Sequence, residues 1–418
     1  MHEPAAEVDP FEAFDEATGK DTCRDPYPEF AAMRARGGVI EVPAAPGSLA
    51  GPASEGAPTF AAVSYEAVSE ILRDGATFSS GAYRESMGVV MGPNILVMDE
   101  PEHGRYRRLI QQAFSKKALE VWETELVHPV VHRLVDAFEG RGAADLVREL
   151  TFPFPVHVIA GMLGLPDEDL PWFHARAVDV ISVALDPMRG IEGSRQLGEY
   201  LTPIIEARRA NPGKDLISVL ATGELDGQIL DDEHVLGFLR LLLPAGAETT
   251  YRSSSNLIFG LLSDRDQWQA LDDDRGLMIQ AIEEGLRWEV PLTGIGRLCV
   301  RDTEVAGTKI PAGSYIQVLI GAANRDETRW DDPDVFDIHR PPRQHMSFAF
   351  GPHRCLGMHL ARMETKVCLE ALLDRLPNLR LDPAADDVHI SGRGFPRRAA
   401  CRSSSGRDRA LPERLSRR

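Results

Sequence analysis

A short loop around Cys355 constrains this chain more than any other stretch. Gly351 and Gly357 bracket the cysteine, and Phe348 precedes it. Beyond the cysteine, apolar residues recur at helical spacing as far as Leu376, which predicts that the loop leads directly into a helix. A thiolate at the N-terminus of a helix is stabilised by free N–H groups and by the helix dipole. Cys355 is therefore predicted to be an activated sulfur with a lowered pKa that can bind a metal.

The frame around this cysteine is specific. The pattern F-x-x-G-x-H-x-C-x-G is matched at Phe348, Gly351, His353, Cys355 and Gly357, and it resembles the haem-binding signature of the cytochrome P450 family. The resemblance implies that haem b (iron protoporphyrin IX) binds non-covalently, with the Cys355 thiolate as the iron ligand. It also implies that Phe348, Gly351 and His353 lie around the cofactor. For a lone cysteine in a glycine-rich turn, the alternative is a buried, inert thiol.

The segment from Asp231 to Leu262 predicts a long central helix. It begins with acidic residues, which a helix N-terminus favours, and apolar side chains then cover most of its circumference. A helix of this kind lies in the middle of a protein. Pro244 and Gly246 remove a backbone hydrogen bond and a side chain from it, so we expect a bend there.

Small residues in this helix are followed by polar ones. Thr249 comes four residues after Ala245 and can donate a hydrogen bond to its carbonyl. A buried glutamate is costly without a partner, which favours a function for Glu248 over an incidental polar patch in a core helix. The segment resembles the A-G-x-E-T-T sequence of the P450 family. The resemblance implies that Ala245 and Gly246 adjoin the haem, that Thr249 donates to dioxygen and that Glu248 supplies protons.

Basic residues are expected beside the cofactor. His103 and Arg107 are four residues apart and share one face of a helix that Pro101 begins. The resemblance implies that this pair and Arg297 bind the haem propionates through charge-assisted hydrogen bonds. For Arg107 alone, a solvated arginine is the ordinary alternative.

A third motif is structural. Glu284 and Arg287 fit E-x-x-R, which is weak alone because surface pairs at this spacing are commonplace. The resemblance implies that they lock to Arg340 and hold the chain beneath the haem.

The substrate pocket is predicted from less regular segments. Residues 78–98 contain several glycines and no sustained period, as functional loops often do. By resemblance this loop roofs the pocket. The expected substrate contacts are Tyr83, Val89, Ile95, Thr293 and Ile295. For each of the first three, ordinary loop packing is an equal alternative.

Composition limits the other possibilities. A net charge of −18 argues against a nucleic-acid partner. The five cysteines form no C-x-x-C pair, which argues against a zinc ribbon or covalently attached haem, and their odd number fits a reducing compartment. The first residues contain no signal-peptide pattern, and no apolar run is long enough for a membrane span. We therefore expect a cytoplasmic protein without membrane association.

The resemblance covers residues 26–395 and implies the P450 fold, a mainly α domain with a smaller β-rich lobe. Residues 1–25 are expected to form a flexible arm. Residues 396–418, rich in Arg and Ser, replace the apolar strand hairpin that closes most members of the family. This Arg-rich tail is expected to be disordered, because such a composition cannot bury a core.

The implied reaction is monooxygenation. One atom of O2 enters a small or medium apolar organic substrate, and electrons come from a separate partner because no reductase domain is fused to the chain. A basic patch near the cysteine loop predicts an acidic carrier such as a ferredoxin with its ferredoxin reductase. The residues of this basic patch are Arg105, Arg107, Arg108, Lys116, Lys117, Arg354, Arg362 and Lys366.

Three alternatives remain at this point. A haem-binding sensor or electron-transfer protein would share Cys355 but would have no use for Glu248 and Thr249. A peroxide-driven enzyme of the same fold carries Arg-Pro where this chain has Glu248-Thr249. A non-haem metal protein would need clustered Cys and His ligands.

Overall fold

The structure is a computed structural model that describes residues 23–43, 56–181, 186–376, 378–383, 388–391, 398–399 and 402–404. Most of the predicted arm over 1–25 and most of the tail over 396–418 therefore lie outside the described residues. Its helices are α1 (Tyr27–Arg34), α2 (Tyr65–Arg73), α3 (Met87–Met91), α4 (Glu102–Gln111), α5 (Lys116–Trp122), α6 (His128–Asp136), α7 (Pro153–Met162), α8 (Leu170–Ile181), α9 (Pro187–Ala210), α10 (Leu216–Ala221), α11 (Asp232–Ser263), α12 (Arg265–Asp273), α13 (Met278–Trp288), α14 (Ile320–Asn324) and α15 (Met358–Arg375).

The strands are short. They are β1 (Val39–Val42), β2 (Thr59–Ala62), β3 (Phe78–Ser79), β4 (Ala143–Asp145), β5 (Glu224–Leu225), β6 (Gln228–Ile229), β7 (Ile295–Cys299), β8 (Thr303–Val305), β9 (Thr308–Ile310), β10 (Tyr315–Val318), β11 (Arg380–Leu381), β12 (Ile390–Ser391), β13 (Arg398–Ala399) and β14 (Arg402–Ser404). Single turns of 3₁₀ or π-helix connect several of the helices.

The long helix α11 lies at the centre of the helical lobe, as its sequence predicts. The side chain of Asp231 accepts a hydrogen bond from the His234 N–H and caps the first turn. The helix continues without interruption through Pro244. It packs against α7, α8, α9, α13 and α15, and these helices share one large hydrophobic core.

The smaller lobe is built on a five-stranded sheet in the order β1-β2-β10-β7-β3. β1 and β2 are antiparallel neighbours, with Val39 opposite Ala62. β10 joins β2 in parallel register, with Tyr315 opposite Thr59, and pairs with β7 in the antiparallel sense. Helix α2 buries Val68, Ile71 and Leu72 in the same core as this sheet, since their spacing places them on one face. The sheet lobe thus joins distant parts of the chain.

Two short strands fall within the predicted tail. β13 pairs with β12, and β14 lies between β11 and β4. Backbone hydrogen bonds form these strands without a need for apolar side chains, and the expectation of a disordered tail over residues 396–418 stays a prediction. No helix of the described residues is long and apolar enough to cross a membrane.

Candidate active site

The cysteine loop is fixed by its own backbone and by α2. The Cys355 N–H donates to the Phe348 carbonyl at 2.8 Å, and the Arg354 N–H donates to the Gly351 carbonyl at 3.1 Å. Gly351 has φ +71°, and a Cβ there would collide with the Leu72 carbonyl oxygen at the end of α2. Only glycine fits this position without strain. The loop is thus held against the sheet lobe while its cysteine side chain remains accessible to solvent.

The acidity of Cys355 differs from the prediction. Although solvent reaches the side chain, protein surrounds it closely enough that burial raises the pKa of its thiol. The Gly357 N–H and the positive charges of Arg107, Arg362 and Arg354 lower the pKa by less than burial raises it. The prediction of a lowered pKa is therefore wrong for the protein alone. The helix also begins later than expected, at Met358, which places the sulfur before its first turn.

Four basic side chains converge beside this loop. His103 and Arg297 are buried, and the His103 and His353 ring centroids are 4.0 Å apart. Burial, followed by the charges of His103, Arg297 and Arg107, lowers the pKa of His353 to about 2. Arg107 donates to the Arg354 carbonyl, and Arg297 donates to the Gly296 carbonyl at 2.8 Å. Within the described residues, neither arginine forms an ion pair with an acidic side chain.

This cluster fits an anionic ligand. The His103 Nδ1 lies 3.1 Å from a Glu100 carboxylate oxygen, but its Nε2 is buried without a hydrogen-bond partner in the protein. A buried polar atom without a partner is unfavourable. Haem b carries two propionate carboxylates, which would supply acceptors and negative charge to these groups, and an iron that binds thiolate sulfur. The residues present therefore fit haem b, with Cys355 as its ligand.

On α11, the predicted polar residues lie beside an accessible stretch of helix. The Thr249 hydroxyl donates to the Ala245 carbonyl at 2.7 Å, the bond that the sequence predicts. Ala245 is exposed, although the helix is buried over most of its length. The Glu248 carboxylate accepts from Arg252, one turn further along the same helix.

Gly246 lies where α11 packs against α7. A Cβ on this residue would lie 2.6 Å from Cδ1 of Ile159 on α7. The missing side chain therefore allows α7 and α11 to approach closely. The expectation that Gly246 adjoins the haem stays a prediction.

Glu364 is a site residue that sequence reasoning missed. It lies on α15, is buried, and shares a hydrogen bond with Thr250 of α11. Burial raises the pKa of Glu364 to about 8, and the Thr250 bond opposes this shift in part. Its place four residues after Leu360 and three before Val367, on the apolar face of the helix, was the available signal.

Glu284, Arg287 and Arg340 are brought together, as the resemblance implies. Both oxygens of Glu284 accept from Arg287 at 2.7 Å, and Arg340 Nε lies 3.2 Å from Glu284 Oε1. Arg287 also donates to the carbonyls of Asn324, Pro333 and Val335. The three side chains are largely buried, so the motif forms an internal cross-link.

The five expected substrate contacts differ in burial and in their neighbours. The Tyr83 hydroxyl accepts from the Gly296 N–H at 2.6 Å and joins the loop to β7, which begins at Ile295. Val89 is 66% exposed on α3, and Ile95 packs half-buried against the large core. Thr293 is fully buried, with its carbonyl accepting from Gly321, while Ile295 pairs with Val318. The assignment of these five residues as substrate contacts stays a prediction.

Residues 192–389 match the family model described as "Cytochrome P450". The cytochrome P450 monooxygenase PikC of Streptomyces venezuelae is 35% identical over 382 residues, which span 89% of each chain. This chain belongs to the cytochrome P450 family. A steroid C26-monooxygenase of Mycobacterium tuberculosis is 36% identical over 334 residues, which cover 78% of this P450 and 88% of that protein.

Solved P450 structures share the architecture. The P450 PksS of Bacillus subtilis superimposes with a TM-score of 0.84 at 26% identity, over 94% of this P450 and 99% of that chain. CYP109E1 of Bacillus megaterium, solved in complex with testosterone, gives a TM-score of 0.81 at 32% identity, over 91% and 99% of the two chains. The prediction of a mainly α P450 fold with a smaller β-rich lobe is confirmed.

Family membership establishes the class of chemistry. P450 enzymes bind haem b through a cysteine thiolate, and the relatives of this chain are monooxygenases. This P450 is therefore a haem-thiolate monooxygenase, an oxidoreductase that uses O2. Among the described residues, no group of three or more His, Cys, Asp or Glu side chains could hold a metal ion by itself.

Proposed function

We propose that this P450 inserts one atom of O2 into a medium-sized apolar substrate of steroid-like dimensions, with Cys355 as the iron ligand and with Thr249 and Glu248 as the proton-delivery residues. The observation that carries the proposal is the accessible Ala245 turn, where the Thr249 hydroxyl is held 2.7 Å from the Ala245 carbonyl. The substrate size is supported by the relative named for steroid oxidation and by the structural neighbour that contains testosterone.

The bound haem supplies the activation of O2 and the oxidation of the substrate, while the protein supplies binding and protons. His103, Arg107, Arg297 and His353 would hold the two propionates. Cys355 would hold the iron, and the loop bond between its N–H and the Phe348 carbonyl fixes the direction of its side chain. Together these residues would hold the cofactor at the cysteine loop.

Thr249 and Glu248 have distinct tasks in this proposal. A hydroxyl both donates and accepts, so Thr249 holds its proton at the Ala245 carbonyl and can turn it towards a bound molecule. Glu248 is only partly buried, with its side chain 11% exposed, and can exchange a proton with water. Together they supply protons at the accessible turn of an otherwise buried helix.

The test measures how the electrons taken from the reductant divide between product and hydrogen peroxide. In Thr249→Ala and in Glu248→Gln we expect reductant consumption to continue while product falls and hydrogen peroxide rises, because proton delivery fails. Thr202→Ala is the matched control, since its hydroxyl makes the same type of bond, to the Gly198 carbonyl at 2.7 Å on α9. Full coupling in both site variants would contradict the assigned roles, and the absence of any O2-dependent product would favour the haem sensor.

Electrons are proposed to come from a ferredoxin in the cytoplasm. Several cations of the predicted patch are committed to ion pairs: Arg105 with Asp226, Lys116 with Glu120, Arg362 with Glu283 and Lys366 with Glu123. Arg108, Lys117 and Arg354 are exposed and have no ion pair among the described residues. These three supply the positive surface near Cys355 that an acidic carrier would meet.

A further inference from the structure

The catalytic helix contains a buried cation that none of the site motifs includes. Arg252 lies one turn after Glu248 on α11 and is 0% exposed. Its Nε is 3.1 Å and its Nη2 is 3.0 Å from the same carboxylate oxygen, Glu248 Oε1. The Glu248 side chain is 11% exposed. One member of the pair therefore lies in the core and the other at its margin.

Stability alone does not account for this arrangement. An arginine cannot lose its charge in a protein, so its burial requires a carboxylate nearby. Replacement of a buried ion pair by apolar residues of similar volume is often neutral or stabilising. The pair nevertheless lies on the central helix, and its carboxylate directly precedes Thr249. A charge that is costly to bury, next to the residues that deliver protons, indicates a function for the charge.

The contacts also distinguish the two oxygens of the carboxylate. Both guanidinium contacts go to Oε1, and no described group donates to Oε2. The guanidinium fixes the carboxylate through a hydrogen bond from Nε, and Nη2 adds an ionic contact to the same oxygen, an arrangement that a lysine ammonium cannot reproduce. Oε2 is therefore the Glu248 oxygen that is available to water.

We propose that Arg252 is the positioning residue that controls Glu248 during proton delivery. This inference rests on the proposed function of Glu248. In each delivery, Glu248 Oε2 takes one proton from a hydronium ion of the bulk solvent, which leaves as water, and passes one to the Thr249 hydroxyl, which releases its own proton to the reacting oxygen. Glu248 then returns to the carboxylate paired with Arg252, so the protons balance and no further reactant is needed.

The experiment compares Arg252→Gln and Arg252→Lys in the haem-loaded enzyme, with reductant, product and peroxide measured together. We expect Arg252→Gln to lower the fraction of electrons that reaches product several-fold and to change the solvent hydrogen isotope effect on product formation. Arg252→Lys retains the charge and should recover part of the loss. Arg240→Lys, another partly buried arginine of α11 that contacts Ser194 instead, is the matched control and should resemble the parent.

A double-mutant cycle separates this inference from the function on which it rests. With Glu248→Gln already present, Arg252→Gln should have little further effect on coupling, and the unfolding free energies of the four proteins should be non-additive. Additive effects, or parental coupling in the Arg252 variants, would overturn the role of Arg252. Parental coupling in Glu248→Gln would instead overturn the proposed function. Arg252→Gln cannot be used if it does not retain haem. In that case Arg252→Lys tests the role of Arg252, since coupling equal to that of the parent in Arg252→Lys also overturns the inference.

Discussion

At the scale of single residues, the site combines an accessible sulfur with two arginines, Arg107 and Arg297, that have no ion pair with an acidic side chain among the described residues. Burial and the nearby charges of His103, Arg297 and Arg107 lower the pKa of His353 to about 2. His353 is therefore neutral across the working range of pH. The two propionate anions of haem b would offset the positive charge of the arginines, so cofactor binding and the local charge balance are linked.

Cys355→Ser tests the iron ligand. We expect this variant to lose the absorption band that the carbon monoxide complex shows only with thiolate ligation, because a serine hydroxyl is a weaker donor. Cys23→Ser is the control, since Cys23 is a half-buried free thiol outside the cysteine loop. Retention of the thiolate band in Cys355→Ser would show that another cysteine binds the iron.

At the scale of elements, helix α15 joins the cysteine loop to the catalytic helix. Glu364 of α15 shares a hydrogen bond with Thr250, which adjoins Thr249 on α11. Burial raises the pKa of Glu364 to about 8, so its neutral form is the one compatible with the folded protein. A helix contact of this kind makes stability depend on pH.

The sign of this dependence follows from the raised pKa. Since folded Glu364 binds its proton more tightly than unfolded Glu364 does, its contribution is complete below the ordinary pKa of 4.5 and is lost as the pH rises towards 8. Over that interval, the free energy of unfolding should fall by up to about 1.4 kcal/mol per pH unit through this group. Glu364→Gln should flatten the profile measured by denaturant unfolding from pH 5 to 8.

Glu370→Gln, on the same helix but partly exposed beside Lys366, is the control for Glu364. This control should leave the slope of the profile unchanged. The same slope in Glu364→Gln and in the parent would contradict the burial argument.

Local sequence patterns predicted the helices and strands better than they predicted the contacts between them. The span of α11 follows closely from apolar spacing and from its capping acids. The collision of a Gly246 side chain with Ile159 and the burial of Glu364 depend on how helices pack. No local pattern encodes that packing.

The same limit applies to the site. The loop sequence around Cys355 identifies the iron ligand because its spacing is specific. The hydrogen bonds of Tyr83 and Thr293 could not be predicted from a local pattern, because their partners, Gly296 and Gly321, come from other parts of the chain. Arg252 has an ordinary helical spacing from Glu248, and only its burial distinguishes it from a surface ion pair.

At the scale of the whole molecule, charge is divided unevenly. The chain has a net charge of −18, whereas the exposed Arg108, Lys117 and Arg354 make up the positive area proposed as the docking surface. A negatively charged carrier would be repelled by most of the surface and attracted to this area, which favours productive encounters.

Arg108→Glu tests this steering. We expect slower reduction by a ferredoxin and a weaker dependence of the rate on salt, because an attractive charge becomes repulsive. Lys309→Glu changes the charge equally on the β8–β9 hairpin, outside the patch, and should leave the rate close to that of the parent. Equal reduction rates for Arg108→Glu and Lys309→Glu would place the docking surface elsewhere.

The parallel pairing of β2 with β10 has a consequence for biosynthesis. Thr59–Ala62 cannot find Tyr315–Val318 until the ribosome has made more than half of the protein. At about 5–20 residues per second, this wait lasts roughly 10–50 s. During this interval, the apolar face of β1 and β2 remains open to chaperones and to strands of other nascent chains. The order in which the chain emerges, as well as its final stability, thus determines how much enzyme a cell obtains.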